Sequence, residues 1–126
     1  MKNFSDLNVL LLDDDENMRK YILQILEEYL FKRIFEAGDG EDGFKVLKDN
    51  KINLILCDWV MPNMDGLEFY NAIKSSPGFS EIPFIMFTSV REKEQIIKVV
   101  ESGIRHYVIK PVEPNILKEK ILSCLS

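Results

Sequence analysis

An apolar run ends in two adjacent acids at Val9-Leu10-Leu11-Leu12-Asp13-Asp14, close to the start of the chain. A continuously apolar run is typical of a parallel strand covered on both faces. Three later runs also end at a polar residue: Leu54-Cys57 before Asp58, Phe84-Phe87 before Thr88, and Tyr107-Ile109 before Lys110. The carboxyl ends of parallel strands line up along one edge of an open α/β sheet, where ligands bind. The sequence therefore predicts that these separated polar residues meet in one pocket.

Strand-like and helix-like segments alternate along the chain, which predicts βα units and a mainly parallel sheet. The predicted strands are Asn8-Leu12, Arg33-Ala37, Ile52-Cys57, a fourth opened by Pro83, and Tyr107-Ile109. Apolar residues at helical spacing are Met18, Ile22, Ile25, Leu26, Tyr29 and Leu30; Phe44 and Leu47; Leu67, Tyr70 and Ile73; Ile96, Ile97 and Val100; and Leu117, Ile121 and Leu125. Arg19 and Lys20 fall on the opposite, solvent side of the first helix. Gly103 is expected to cap the fourth helix, and residues 1–126 are interpreted as a single domain.

Composition argues against several classes of function. The chain has 126 residues, a net charge of -5 and no cluster of Lys and Arg, so we expect no direct nucleic-acid binding. No apolar stretch approaches the roughly 20 residues that span a bilayer, and residues 1–6 lack the layout of a signal peptide. We therefore expect no membrane insertion and a cytoplasmic protein. Cys57 and Cys124 fit neither a disulfide framework nor a metal site, and are interpreted as reduced packing residues.

The acidic run Asp13-Asp14-Asp15-Glu16 exceeds what the start of a helix needs, since one acid is enough for a cap. If Asp13 and Asp14 lie beside Asp58, their mutual repulsion destabilises the empty site, and a hard cation such as Mg²⁺ relieves it. Next to such a metal, the Asp58 carboxylate is a candidate nucleophile for a phosphoryl group.

Thr88 and Lys110 complete the predicted pocket. Taken alone, each has an ordinary role, as a strand residue and as a solvated lysine before a turn. In a shared pocket, the Thr88 hydroxyl could hydrogen-bond a phosphoryl oxygen. The Lys110 ammonium would pair with Asp58 and then with the added phosphoryl charge, and a cis Lys110-Pro111 bond would help to aim it.

These residues resemble the receiver domain of two-component response regulators, and most closely its CheY-like, single-domain chemotaxis type. The matching motifs, in order over essentially the whole chain, are Leu10-Leu11-Leu12-Asp13-Asp14, Glu36-Ala37 with Gly40, Asp58-Trp59-Val60-Met61-Pro62-Asn63-Met64-Asp65-Gly66, Phe87-Thr88-Ser89 and Lys110-Pro111. The resemblance implies a flavodoxin-like α/β fold, in which a doubly wound five-stranded parallel sheet of order 2-1-3-4-5 carries five helices.

The resemblance also implies a metal-assisted phosphoacceptor. Asp58 would accept a phosphoryl group from a sensor histidine kinase or a phosphotransfer protein. Asp14, Asp58 and the backbone carbonyl of Val60 would bind Mg²⁺ directly, whereas Asp13 would act mostly through a metal-bound water. The chain would then be a phosphorelay signalling protein that catalyses only its own phosphorylation and dephosphorylation, and not an enzyme in the usual sense.

A two-state surface is implied as well. Thr88 and Lys110 would contact the phosphoryl group, and Tyr107 would change rotamer as Thr88 moves toward it. The fourth helix, fifth strand and last helix, here roughly residues 92–103, 106–109 and 114–125, would then change their affinity for a downstream protein. Some receivers dimerise through this face in a phosphorylation-dependent way.

Two positions depart from the commoner family pattern. Val60 and Val90 are aliphatic, where many relatives carry a polar group that helps to position the hydrolytic water. This departure predicts slow self-dephosphorylation. His106, the single histidine, is assigned no role.

Three alternatives stay open. The chain could be a receiver excised from a larger regulator with DNA-binding or enzymatic output, or a pseudo-receiver that serves only as a docking scaffold. It could also be a phosphatase of the haloacid dehalogenase type, built on Asp13-x-Asp15 with Thr88 and Lys110. That family needs a further acidic pair, for which only the separated Glu113 and Glu119 are present.

Overall fold

A parallel five-stranded sheet organises the described part of the chain. The structure, a computed structural model, describes residues 4–89 and 93–125, and only the backbone of residues 93–96. The strands are β1 Asn8–Leu12, β2 Arg33–Ala37, β3 Leu54–Asp58, β4 Phe84–Ser89 and β5 His106–Lys110. The α-helices are α1 Glu16–Leu26, α2 Gly40–Asp49, α3 Gly66–Lys74, α4 Lys93–Glu101 and α5 Pro114–Leu125. The strand order β2-β1-β3-β4-β5, with every pair parallel, confirms the predicted fold.

Helices cover both faces of the sheet, and each face has its own apolar core. Alternate residues of β1 divide between the two cores, with Leu10 and Leu12 in one and Val9 and Leu11 in the other, as the period of two in a strand requires. The first core packs against α2, α3 and α4, and the second against α1 and α5. Burial on both faces explains why the central strands are continuously apolar. Cys57 is buried and Cys124 half-buried, and both are free thiols.

The strands reach further toward the functional edge than predicted. β3 begins at Leu54 rather than Ile52, and it includes Asp58 as its last residue. β4 and β5 likewise include Thr88 and Lys110. The side chains of these three residues therefore project from backbone that is held in the sheet, and not from a loop.

The predicted apolar stripes are confirmed on α5, where Leu117, Ile121 and Leu125 are buried, but they were wrong at two places. Leu30 follows a short 3-10 turn at Glu27–Tyr29, has φ 56°, and is 74% exposed. On α4 the buried residue is Val99, whereas Ile97 and Val100 are 56% and 60% exposed. The Ile96 side chain lies outside the described residues.

Gly103 follows α4 with φ 92°, which confirms the predicted glycine position after a helix end. Within residues 4–89 and 93–125, no helix combines the length and apolarity needed to cross a bilayer.

Candidate functional site

An acidic pocket lies at the carboxyl edge of the sheet, where β1, β3, β4 and β5 end. One carboxylate oxygen from each of Asp13, Asp14 and Asp58 lies within 4.8 Å of the other two. The Lys110 ammonium is 2.6 Å from Asp58 Oδ1. Thr88 is buried at the end of the adjacent β4, with 1% of its surface exposed. The topology thus brings together the five polar residues that the sequence predicted to meet.

The acidic residues of the β1–α1 loop have two different structural roles. Asp15 caps α1, because its carboxylate accepts hydrogen bonds from the backbone amides of Asn17 and Met18. Asp13 Oδ1 accepts a hydrogen bond from the Asp15 amide at 2.9 Å, whereas Asp13 Oδ2 is buried without a partner in the described part of the chain. Only Asp13 and Asp14 therefore face the pocket. The capping role of Asp15 does not favour the phosphatase alternative, which was built on Asp13 and Asp15 together.

Two N–H donors act on the same oxygen of Asp58. Oδ1 accepts from Lys110 Nζ and from the Trp59 amide, the latter at 3.0 Å. Burial raises the pKa of the Asp58 carboxyl, and the Lys110 and Trp59 donors partly offset this while the charge of Asp14 adds to it. The Asp58 carboxyl therefore has a raised pKa and is paired with the Lys110 ammonium.

Burial and neighbouring charges both disfavour the ionised form of Asp13. Burial raises the pKa of its carboxyl from 3.8 to about 6, and the charges of Asp58 and Asp14 contribute to the increase. The folded protein therefore binds more protons than the unfolded chain between about pH 4 and pH 6, so the free energy of unfolding falls as the pH rises through that window. At neutral pH, a shift in this direction lowers the free energy of unfolding by about 1–3 kcal/mol.

We expect Asp13→Asn to stabilise the metal-free protein at neutral pH. An amide does not ionise, and its oxygen can still accept the hydrogen bond from the Asp15 amide. In urea unfolding with a chelator present, the variant should gain about 1–3 kcal/mol at pH about 7 and little at pH about 3 or below, where both states of the wild type largely hold the proton. Equal or lower stability of the variant at neutral pH would show that burying the ionised Asp13 carboxylate does not destabilise the folded protein.

The β4–β5 register brings Thr88 and Tyr107 to the same side of the sheet. Tyr107 pairs with Met86, which lies two residues before Thr88 and therefore points to the same face. Tyr107 is partly buried against the core on that face. The Lys110-Pro111 peptide bond is cis, the form that was expected from the sequence to help aim Lys110.

The β3–α3 loop closes the pocket beside Asp58. Val60 is 59% exposed, and its backbone carbonyl accepts no hydrogen bond from the described residues, so it is available to a cation. Trp59 is buried next to it, and the carbonyl of Trp59 accepts a hydrogen bond from the Gly66 amide at 2.7 Å. A capping box of Asp65 and Glu68 starts α3. Val90, the second departure from the family pattern, lies outside the described residues.

One residue at the edge of the site, Arg19, was not anticipated. Arg19 was predicted to face solvent from α1, but its guanidinium hydrogen-bonds the Asp13 carbonyl and the Glu36 carboxylate, and its side chain is only 20% exposed. A long side chain on the first turns of a helix leans back toward the N-terminus, and this was the available signal. His106, by contrast, lies at the start of β5, at the opposite edge of the sheet.

Comparison with known proteins identifies a family whose sequences match this chain over most of its length. The response regulator receiver domain matches residues 9–122. The chemotaxis protein CheY1 of Helicobacter pylori is 33% identical over 116 residues, which cover 91% of this chain and 94% of that protein. The chemotaxis protein CheY of Pseudomonas aeruginosa is 31% identical over 115 residues, covering 91% and 93%.

Solved structures show the same fold. The chemotaxis protein CheY4 of Vibrio cholerae superposes with a TM-score of 0.84 at 23% identity, covering 95% of this chain and 99% of that one. A response regulator receiver protein from Pseudomonas putida has a TM-score of 0.83 at 23% identity, covering 94% and 97%. At this level of sequence identity, the similarity to these two structures supports the fold alone.

Proposed function

This chain belongs to the response regulator receiver domain family, and we propose that Asp58 is the residue that accepts its phosphoryl group. One observation carries the assignment. Asp58 is the carboxylate at the end of a central strand that is both paired with an ammonium, at 2.6 Å, and within reach of two further carboxylates. This combination supplies a nucleophile, a cation for the incoming phosphoryl charge, and oxygen ligands for a metal.

The chain's own residues fit a divalent cation of the Mg²⁺ type. Asp14, Asp58 and the Val60 carbonyl would hold it directly, and Asp13 would bind one of its waters through Oδ2, the buried atom that has no described partner. This donor set consists only of oxygens, which Mg²⁺ prefers together with several waters. When bound, Mg²⁺ supplies neutralisation of charge on the phosphoryl oxygens.

The chemical step needs little more than positioning. A carboxylate oxygen of Asp58 attacks the phosphorus of a phosphohistidine on a histidine kinase or phosphotransfer protein, the phosphorus–nitrogen bond breaks, and the imidazole leaves with its electron pair. Lys110 moves from Asp58 Oδ1 to the phosphoryl oxygens. The Thr88 hydroxyl, buried at the same edge, is placed to hydrogen-bond one of those oxygens.

The phosphoryl group adds a charge of about -1.5 to -2, and the rest of the molecule responds to this charge. We assign Thr88 and Tyr107 as the residues that pass it to a surface formed by α4, β5 and α5. Each of these elements exposes an aliphatic side chain, such as Val100, Ile109 and Leu122, at 60%, 38% and 45%. Exposed aliphatic groups suit a protein partner, which would be a downstream target or a second copy of the chain.

We further infer a single receiver domain over residues 1–126, acting in the cytoplasm as a signalling protein without a separate substrate. A receiver that belongs to a longer regulator would share this structure. In that case the same surface would contact an output domain rather than a free target.

Val60 is expected to prolong the phosphorylated state. Its aliphatic side chain is 59% exposed at the mouth of the pocket and cannot hydrogen-bond a hydrolytic water. Val60→Asn should therefore accelerate loss of the phosphoryl group several-fold, measured as the decay of radiolabelled protein after removal of the donor. An unchanged decay rate would refute this role and leave Val60 as a contact for the kinase or target.

Trp59 allows a direct test of the proposed site, because it is the only tryptophan and is buried next to Asp58. We expect its emission to change on addition of Mg²⁺, and to change further with beryllofluoride, a stable mimic of the phosphoryl group. The Asp58→Asn variant should lose the beryllofluoride response. A wild type whose spectrum and NMR amide shifts respond to neither addition would favour the docking-scaffold alternative.

A further inference from the structure

The guanidinium of Arg19 connects the metal-binding loop to the neighbouring strand β2. Its Nη1 donates to the backbone carbonyl of Asp13, and its Nε donates to Glu36 Oε1 at 3.1 Å. Arg19 lies one turn into α1, and Glu36 is the penultimate residue of β2. One planar group therefore ties together α1, β2 and the loop that carries Asp13 and Asp14.

Three of the four polar atoms of Asp13 form hydrogen bonds. Its amide donates to the Ala37 carbonyl at 3.0 Å, its carbonyl accepts from Arg19, and its Oδ1 accepts from the Asp15 amide. Oδ2 is the atom left without a described partner. The peptide that Arg19 holds also joins Asp13 to Asp14, so its orientation sets where both carboxylates point.

We propose that Arg19, oriented by Glu36, is a positioning residue that preorganises the acidic pocket for Mg²⁺. The inference rests on the proposed function, because it concerns the same pocket. Neither residue is a metal ligand: Arg19 acts through the Asp13 carbonyl, and Glu36 acts through Arg19.

Geometry, rather than the charge of Arg19, carries this role. The guanidinium is paired with the Glu36 carboxylate, so it adds little net charge near the pocket. The charges that act on the Asp13 carboxyl are those of Asp58, Lys110 and Asp14. The fork of the guanidinium reaches two acceptors at once, which a lysine ammonium on a flexible stem does less well.

The expected loss of Mg²⁺ affinity without Arg19 can be estimated from other metal sites. Partners that orient metal ligands contribute about 10–100-fold to metal affinity. Without Arg19, the carbonyl of the buried Asp13 would lose its hydrogen bond, and the Asp13–Asp14 peptide would be less firmly oriented.

The test compares Mg²⁺ binding by wild type, Arg19→Ala, Glu36→Gln and Lys20→Ala, followed by Trp59 emission or NMR amide shifts. Arg19→Ala should raise the Mg²⁺ dissociation constant about tenfold or more. Glu36→Gln should change it little, because the amide oxygen still accepts from Nε. Lys20→Ala is the matched control, since Lys20 forms an exposed ion pair with Glu16 on the same helix.

A second measurement separates positioning from general stability. With an acyl phosphate as donor, Arg19→Ala should need more Mg²⁺ for half-maximal phosphorylation but reach the wild-type rate at saturating Mg²⁺. A general loss of structure would instead lower the maximal rate. If Arg19→Ala does not fold, as judged by circular dichroism, Arg19→Lys takes its place, with a smaller rise expected in the same two quantities.

The outcomes distinguish this inference from the proposed function. A folded Arg19 variant with the wild-type Mg²⁺ dissociation constant and the wild-type Mg²⁺ requirement overturns the role of Arg19 alone. A wild type that neither binds Mg²⁺ nor accepts a phosphoryl group overturns the proposed function and this inference with it.

Discussion

Replacing Lys110 with Met is expected to lower the rate of phosphoryl transfer to Asp58 by about 10²–10³-fold. The ammonium lies 2.6 Å from Asp58 Oδ1, and it is the cation best placed to follow the charge as that charge moves onto the phosphoryl oxygens. Without it, the pKa of the buried Asp58 carboxyl rises further, because Lys110 is the main group that opposes the effect of burial. Both changes slow attack by the carboxylate.

The same substitution should not weaken Mg²⁺ binding. Lys110 and a bound cation compete for the negative charge of Asp58, so Lys110→Met should bind Mg²⁺ at least as tightly as the wild type. The measurement is the phosphorylation rate with a small acyl phosphate, together with a Mg²⁺ titration, and Lys118→Ala on the exposed side of α5 is the control. A wild-type rate in Lys110→Met, or a parallel loss of Mg²⁺ affinity, would contradict the role assigned to Lys110.

Gly66→Ala is expected to destabilise the protein by about 1–3 kcal/mol and to disrupt the site at the same time. A Cβ at this position would lie 2.5 Å from the Asp58 carbonyl oxygen and 2.9 Å from the Trp59 Cα. Both are backbone atoms that cannot rotate away, so the start of α3 must move off the end of β3. That movement would displace the loop that carries the Val60 carbonyl.

Gly78→Ala is the matched control for this change, because nothing lies within 4 Å of the added Cβ and its backbone φ is not in the left-handed region. Its free energy of unfolding should change by no more than about 0.5 kcal/mol. Urea unfolding and Mg²⁺ titration of both variants test the expectation. Equal stability of the two variants would show that α3 can shift without cost and that Gly66 has no special packing role.

The position of the pocket could be predicted because topology alone determines it. Asp13, Asp58, Thr88 and Lys110 each end an apolar run, and parallel strands must bring such residues to one edge. The strand order followed from the family resemblance, since alternation of strands and helices does not distinguish among parallel orders. The structure also extends β3, β4 and β5 to include the candidate site residues.

Other features depend on contacts that a pattern does not encode. A run of four acids does not reveal which acid caps the helix, and the hydrogen bonds show that it is Asp15. The apolar residues of α4 fit more than one helical face, and the structure buries Val99 while leaving Ile97 and Val100 exposed. Arg19 carries no periodic signal for its contact with Asp13, because that contact depends on the direction of its side chain.

Locating the phosphoryl group on the chain would show whether Asp58 accepts it with the help of Mg²⁺. The protein would be incubated with acetyl phosphate with and without Mg²⁺, then treated with borohydride, which reduces an aspartyl-phosphate to homoserine, and analysed by peptide mass spectrometry. We expect Mg²⁺-dependent reduction at Asp58 and none in Asp58→Asn. Modification at another residue, or none at Asp58 in a folded protein that binds Mg²⁺, would contradict it.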